Sequence, residues 1–88
     1  MVYRKIQATI YPNPTTDNLT LRYSEKLSTS SFFHIYNLTG NKVFTKEIIA
    51  SSSNSQISPI SLPDGIYFYS INLADGSEIS AGKLIILK

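Results

Sequence analysis

Cysteine and tryptophan are absent from the 88 residues, and histidine occurs once, at His34. Without cysteine there is no disulfide, no thiolate metal site and no thiol nucleophile. A single histidine cannot build a zinc site on several imidazoles. Charge is sparse too: eight Lys plus Arg against six Asp plus Glu leave +2. These charges do not cluster, and a nucleic-acid footprint needs a basic stripe, so no nucleic-acid partner is expected. No apolar run approaches the roughly 20 residues that span a bilayer, so direct membrane insertion is not expected. The opening Met1-Val2-Tyr3-Arg4-Lys5 leads into no apolar stretch of a secretory signal. The chain is therefore expected to be either cytosolic or a piece of something longer. Its length is that of one small domain, able to bury roughly 60–65% of the unfolded chain's surface.

What is present reads as strands and turns. Ser supplies 13 residues and Thr 7, and apolar residues mostly alternate at period two, so helix signals are poor. Leu19, Leu21 and Tyr23 alternate with polar neighbours and should share one face. In Ser31–Asn37, Phe33 and Ile35 are expected to point inward, with His34 and Tyr36 on the other face. Further runs are Lys42–Ala50, a weak one over Gln56–Ile60, a strong one over Ile66–Leu73 and a closing one over Glu78–Leu87. A first strand lies within Tyr3–Tyr11. The inward set is expected to be Leu19, Leu21, Phe33, Ile35, Val43, Tyr67, Tyr69 and Ile71, with Phe44 as a further core ring. Tyr3, Tyr36 and Phe68 are left as surface rings. Turn chemistry separates the runs at Tyr11-Pro12-Asn13-Pro14, Leu38-Thr39-Gly40-Asn41, Pro63-Asp64-Gly65 and Ala74-Asp75-Gly76. Ser51–Ser55 reads as a polar surface loop. Seven short strands with turns every 8–12 residues predict an all-β, immunoglobulin-like antiparallel β-sandwich.

Tests for chemistry fail. His34 sits mid-strand, where a satisfied or surface histidine is the expectation and not a catalytic one. The six acids are scattered, and Asp64 and Asp75 each precede a glycine in a turn. The four glycines are isolated, so no phosphate-cradling loop exists. Calcium at Asp17, Asn18, Asp64 or Asp75 lacks the dense Asp-x-Asp spacing that such sites use. No catalytic residue, cofactor site or metal site is expected. Asp64-Gly65-Ile66-Tyr67 reads as a tyrosine corner, a structural role.

The order of several weak motifs is more specific than any one of them. Ile10-Tyr11-Pro12-Asn13-Pro14 precedes Asp17-Asn18-Leu19-Thr20-Leu21. Ile35-Tyr36-Asn37-Leu38-Thr39-Gly40-Asn41-Lys42-Val43 follows, then Leu62-Pro63-Asp64-Gly65-Ile66-Tyr67-Phe68, and Gly82-Lys83-Leu84-Ile85-Ile86-Leu87-Lys88 closes the chain. In this order the chain resembles the type A C-terminal sorting domain of the type IX (Por) secretion system of Bacteroidetes, from about Ala8 to Lys88. The resemblance implies a non-enzymatic address label on a larger cargo protein linked covalently upstream. It implies recognition by the outer-membrane translocon and removal by a surface sortase. It also implies transit through the periplasm to the cell surface or the medium. On that reading residues 1–9 are linker and chain start, with Met1 an added initiator, and residues 10–88 are the sorting domain. The motif residues carried over are Pro12, Asn13, Pro14, Gly40, Gly65, Tyr67 and the terminal run Lys83, Leu84, Ile85, Ile86, Leu87 and Lys88. The two prolines are expected to hold the entry extended. The terminal run, if at a sheet edge, could pair with a partner's sheet or form a homodimer through that edge.

Two other readings compete. An immunoglobulin- or fibronectin-like binding module for carbohydrate or protein would need an exposed aromatic patch, with Tyr3, Tyr36 and Phe68 as its members. A structural spacer of a long adhesin would require further sequence after Lys88.

Overall fold

Alternating apolar and polar residues leave each strand one face to bury, and two such faces satisfy each other by stacking. In the computed structural model, which describes residues 7–14, 18–24, 27–50, 54–57 and 61–88, the chain does this with seven strands. They are β1 (Ala8–Tyr11), β2 (Leu19–Tyr23), β3 (Ser31–Tyr36), β4 (Lys42–Ile48), β5 (Asn54–Ile57), β6 (Gly65–Leu73) and β7 (Glu78–Ile86). The sheets are β1-β2-β5 and β4-β3-β6-β7, antiparallel throughout. This is the expected immunoglobulin-like sandwich, with no helix among the described residues.

The core is made by both sheets. Ile10, Leu19, Leu21 and Ile57 come from the three-stranded sheet, and Phe33, Ile35, Ile71, Leu84 and Ile86 from the four-stranded one. Phe33 lies at the middle, stacked on Tyr69 at 5.9 Å and edge-on to Phe44 at 6.4 Å. Tyr69 itself is half-buried, and it roofs Gly82 on the neighbouring strand, where an added Cβ would meet its ring at 2.9 Å. The Tyr23 hydroxyl shares a 2.6 Å hydrogen bond with buried Ser31 Oγ, which satisfies both groups inside the sandwich. Burial pushes the Tyr23 hydroxyl above its ordinary titration range, against a smaller opposing effect of the Ser31 bond. Tyr67, near the start of β6, donates its hydroxyl to the Pro63 carbonyl at 2.6 Å, so the expected tyrosine corner is formed.

Some expectations need correction. Val43 is not a core residue: it is 37% exposed. The β3–β4 register pairs Ile35 with Phe44 but Tyr36 with Lys42, so Val43 is the extra residue of a bulge and Phe44 takes the inward position. Asn54 and Ser55 are not loop: they pair with Arg22 and Leu21 and open β5. Backbone pairing asks nothing apolar of an edge strand, so a polar start went unread. The entry at Pro12, Asn13 and Pro14 bends instead of running extended, and the Tyr11–Pro12 and Asn13–Pro14 peptide bonds are cis. The side-chain bonds of Asn13 hold this bend against β7. Gly65 is the first residue of β6, paired with Ile86, and not a turn residue. Expectations that fall on Tyr3, Asp17, residues 51–53 and residues 58–60 lie outside the described residues.

Candidate functional site

The motif residues scattered along the sequence meet at one end of the four-stranded sheet. That end holds the last residues of β3, the first of β4 and β6, and the last of β7. Three links reach across it. The Asn13 side chain donates from Nδ2 to the Lys83 carbonyl at 2.9 Å and accepts the Ile85 N–H at 3.1 Å on Oδ1. The Lys88 N–H donates to Asp64 Oδ1 at 3.0 Å, which ties the terminal residue to the corner before β6. The Tyr67–Pro63 bond braces that same corner.

The β3–β4 hairpin closes the end. Asn37 Oδ1 accepts from the Thr39 and Asn41 N–H groups at 3.1 and 2.9 Å and from the Thr39 hydroxyl at 2.7 Å. An asparagine side chain that collects following donors in this way is an Asx-type turn. Gly40 completes it with φ of 89°, where a side chain would be strained. The expected hairpin role of Gly40 is therefore met.

On the outer face of this sheet the registers align side chains in rows. Lys42, Tyr36, Phe68 and Lys83 form one row across β4, β3, β6 and β7. Ile66 and Ile85 sit side by side beyond it, toward the chain's end. Thr45, His34, Ser70 and Ala81 form the next row inward, and Glu47, Phe32, Asn72 and Glu78 the farthest. The face thus runs from apolar and basic to acidic. Ile66 and Phe68 are each 46% exposed, and Leu38, Val43 and Leu87 are also exposed at the same end. Most of the exposed large apolar side chains among the described residues gather here.

The titratable side chains His34, Asp64 and Asp75 have structural partners. His34 shares a hydrogen bond with Thr45 Oγ1 at 3.0 Å and stacks on Phe32. Burial first, and Lys42 second, hold its imidazole below the ordinary value of 6.5, favouring the neutral ring. Asp64 and Asp75 lie at opposite ends of β6. Asp75 accepts the Ser77 N–H at 2.8 Å, and that bond keeps its carboxyl below the usual carboxylate range. Among the described residues no group of three His, Cys, Asp or Glu could hold a metal ion.

The terminal run divides in two. Leu84 and Ile86 are fully buried core residues, while Lys83, Leu87 and Lys88 are exposed and Ile85 is half-buried on the outer face. Pro12, Asn13 and Pro14 are exposed, Gly65 opens β6, and Tyr67 braces the corner before it. Sequence reasoning missed Ile66, Leu38 and Lys42 as members of this end and Asp64 as the clamp on Lys88. Ile66 was readable, because period two places it on the same face as Phe68. The Asp64 and Asn13 contacts carry no local signal.

The family model described as "Secretion system C-terminal sorting domain" matches residues 9–87. No curated protein matches the chain significantly.

Proposed function

This chain belongs to the family of secretion-system C-terminal sorting domains and carries a sorting signal of type IX secretion, and on that premise we propose that the apolar, basic end of its four-stranded sheet is the part recognised. Such a signal directs linked cargo toward the outer membrane and the cell surface or medium. In our reading the cargo joins through the segment preceding β1, and the folded domain passes through the periplasm and meets the outer-membrane translocon. A surface sortase then cuts upstream of β1. The observation that carries this reading is the convergence of four of the five motifs on one end, the run that contains the start of β2 lying instead in the other sheet. Asn13 bonds β7, Asp64 bonds Lys88, and Tyr36 and Phe68 lie between Lys42 and Lys83. Half-exposed rings flanked by lysines suit a protein surface with an apolar centre and acidic rim. Within the terminal run, Leu84 and Ile86 support the fold, and Lys83, Ile85, Leu87 and Lys88 face the partner.

Recognition is tested by fusing residues 8–88 to a periplasmic reporter in a host with the type IX machinery. The reporter is expected at the surface, and retention in the periplasm contradicts the proposal. Deleting residues 84–88 removes two core side chains, so retention of that variant counts only if the shortened domain still folds. Replacing Lys83 and Lys88 by Ser leaves the core intact, since exposed charges change stability by no more than about 0.5 kcal/mol. It is expected to weaken export without unfolding.

A further inference from the structure

Asn13 is exposed, yet its side-chain amide is engaged at both ends by residues 70 and 72 positions away. The two partners are the carbonyl of Lys83 and the N–H of Ile85, on either side of Leu84. One amide that donates to the residue before and accepts from the residue after is the bonding of a parallel ladder. The side chain thus stands in for one residue of a further strand beside β7. The outer groups it covers lie on the side of β7 away from β6, because Leu84 pairs with Tyr67 on the other side.

The four edges of the sandwich are not equally protected. β1 and β5 are four residues long each, and β1 runs into Pro12. β4 carries exposed Lys42, Lys46 and Glu47 and the Val43 bulge. β7 is nine residues long, has its one irregularity at its start, where Ile79 is passed over between Glu78 and Ser80, and bears only Glu78 and Lys83 as charges. A long edge with few charges invites pairing with another chain. The nearest such chain is a second copy. A strand paired antiparallel with itself about a two-fold axis always meets complementary donors and acceptors.

We propose that Asn13 guards the β7 edge against a second copy of this chain. With the amide in place the domain is monomeric; without it, two copies pair β7 against β7 and join their four-stranded sheets. The edge homodimer expected from the sequence is therefore withheld by a residue at the opposite end of the chain. This inference does not depend on what recognises the domain.

The experiment compares the 88-residue chain with N13A by sedimentation over a concentration series and by amide hydrogen exchange. The unaltered chain is expected to stay monomeric with a protected Ile85 amide. N13A is expected to self-associate at least about ten-fold more tightly, the weight of one or two hydrogen bonds. At low concentration its Ile85 amide should exchange about ten-fold faster. Adding K83P removes an outward N–H without touching the β6–β7 bonds, so N13A/K83P should return to monomer. The proposal is overturned if N13A stays monomeric with Ile85 exchange unchanged. It is equally overturned if K83P fails to reverse the association. Should N13A not fold, the unaltered chain still decides, because rapid exchange of its Ile85 amide means that no guard exists.

Discussion

The two sheets bury similar inner faces but present unlike outer ones. Outward from β1-β2-β5 point Thr9, Tyr11, Thr20, Arg22, Asn54 and Gln56, a polar set with one ring. Outward from β4-β3-β6-β7 point Phe32, His34, Tyr36, Ile66, Phe68 and Ile85, with lysines at one end and glutamates at the other. An antiparallel sheet with one face in water ordinarily alternates apolar and polar residues. The first sheet obeys that pattern and the second departs from it only on its outer face. The inner faces therefore account for folding, while the departure is where our proposal places contact with another protein.

The comparison breaks hardest where the two sheets share a core. Ile35→Ala removes a fully buried side chain from between them. It should cost roughly 2–5 kcal/mol, a drop in Tm of about 8 °C or more, measurable by thermal denaturation. Next comes Gly82→Ala, which forces a methyl group to 2.9 Å from the Tyr69 ring, itself stacked on Phe33. The ring has little room to give, and a loss of about 1–3 kcal/mol is expected in denaturant titration. A similar loss from Ala81→Ser, on the outer face of the same strand, would contradict this account of Gly82.

Smaller effects separate the outer faces themselves. I66S with F68S should change stability by within about 1 kcal/mol, because both side chains are half in water. T20A with R22A on the other sheet should change it by about 0.5 kcal/mol or less. The smallest effect is a pH dependence. His34 in the folded chain binds a proton less readily than in the unfolded chain, whose imidazole titrates near 6.5. Its contribution to stability is thus complete above pH 6.5 and is lost as pH falls below it. Solvent screening limits this to roughly a few tenths of a kcal/mol. His34→Gln should flatten the acid side of a stability-against-pH curve, and an unchanged slope would show that His34 is not its source.

Much of this was legible in the residues, because strands and turns are local. Period two placed Leu19, Leu21, Phe33 and Ile35 inward, and Gly40 and the Asp75-Gly76 pair marked turns that the structure contains. The family motifs were legible for a similar reason, as short runs in a fixed order. Val43 was not, because a bulge reverses the in–out alternation without any residue type announcing it. The polar opening of β5 was hidden by its serine-rich surroundings. The site was legible as a set of motifs but not as a place. What assembles it is pairing between positions tens of residues apart, as with Asn13 and β7 or Asp64 and Lys88.

The central claim is that sorting reads the outer face of the four-stranded sheet and not that of its partner. The most direct measurement is export of a reporter carrying I66S/F68S or T20A/R22A domains, each checked for folding, in a host with the type IX machinery. The account predicts that T20A/R22A reaches the surface like the unaltered domain, while folded I66S/F68S remains in the periplasm. Equal export of both, or retention of T20A/R22A alone, would contradict it.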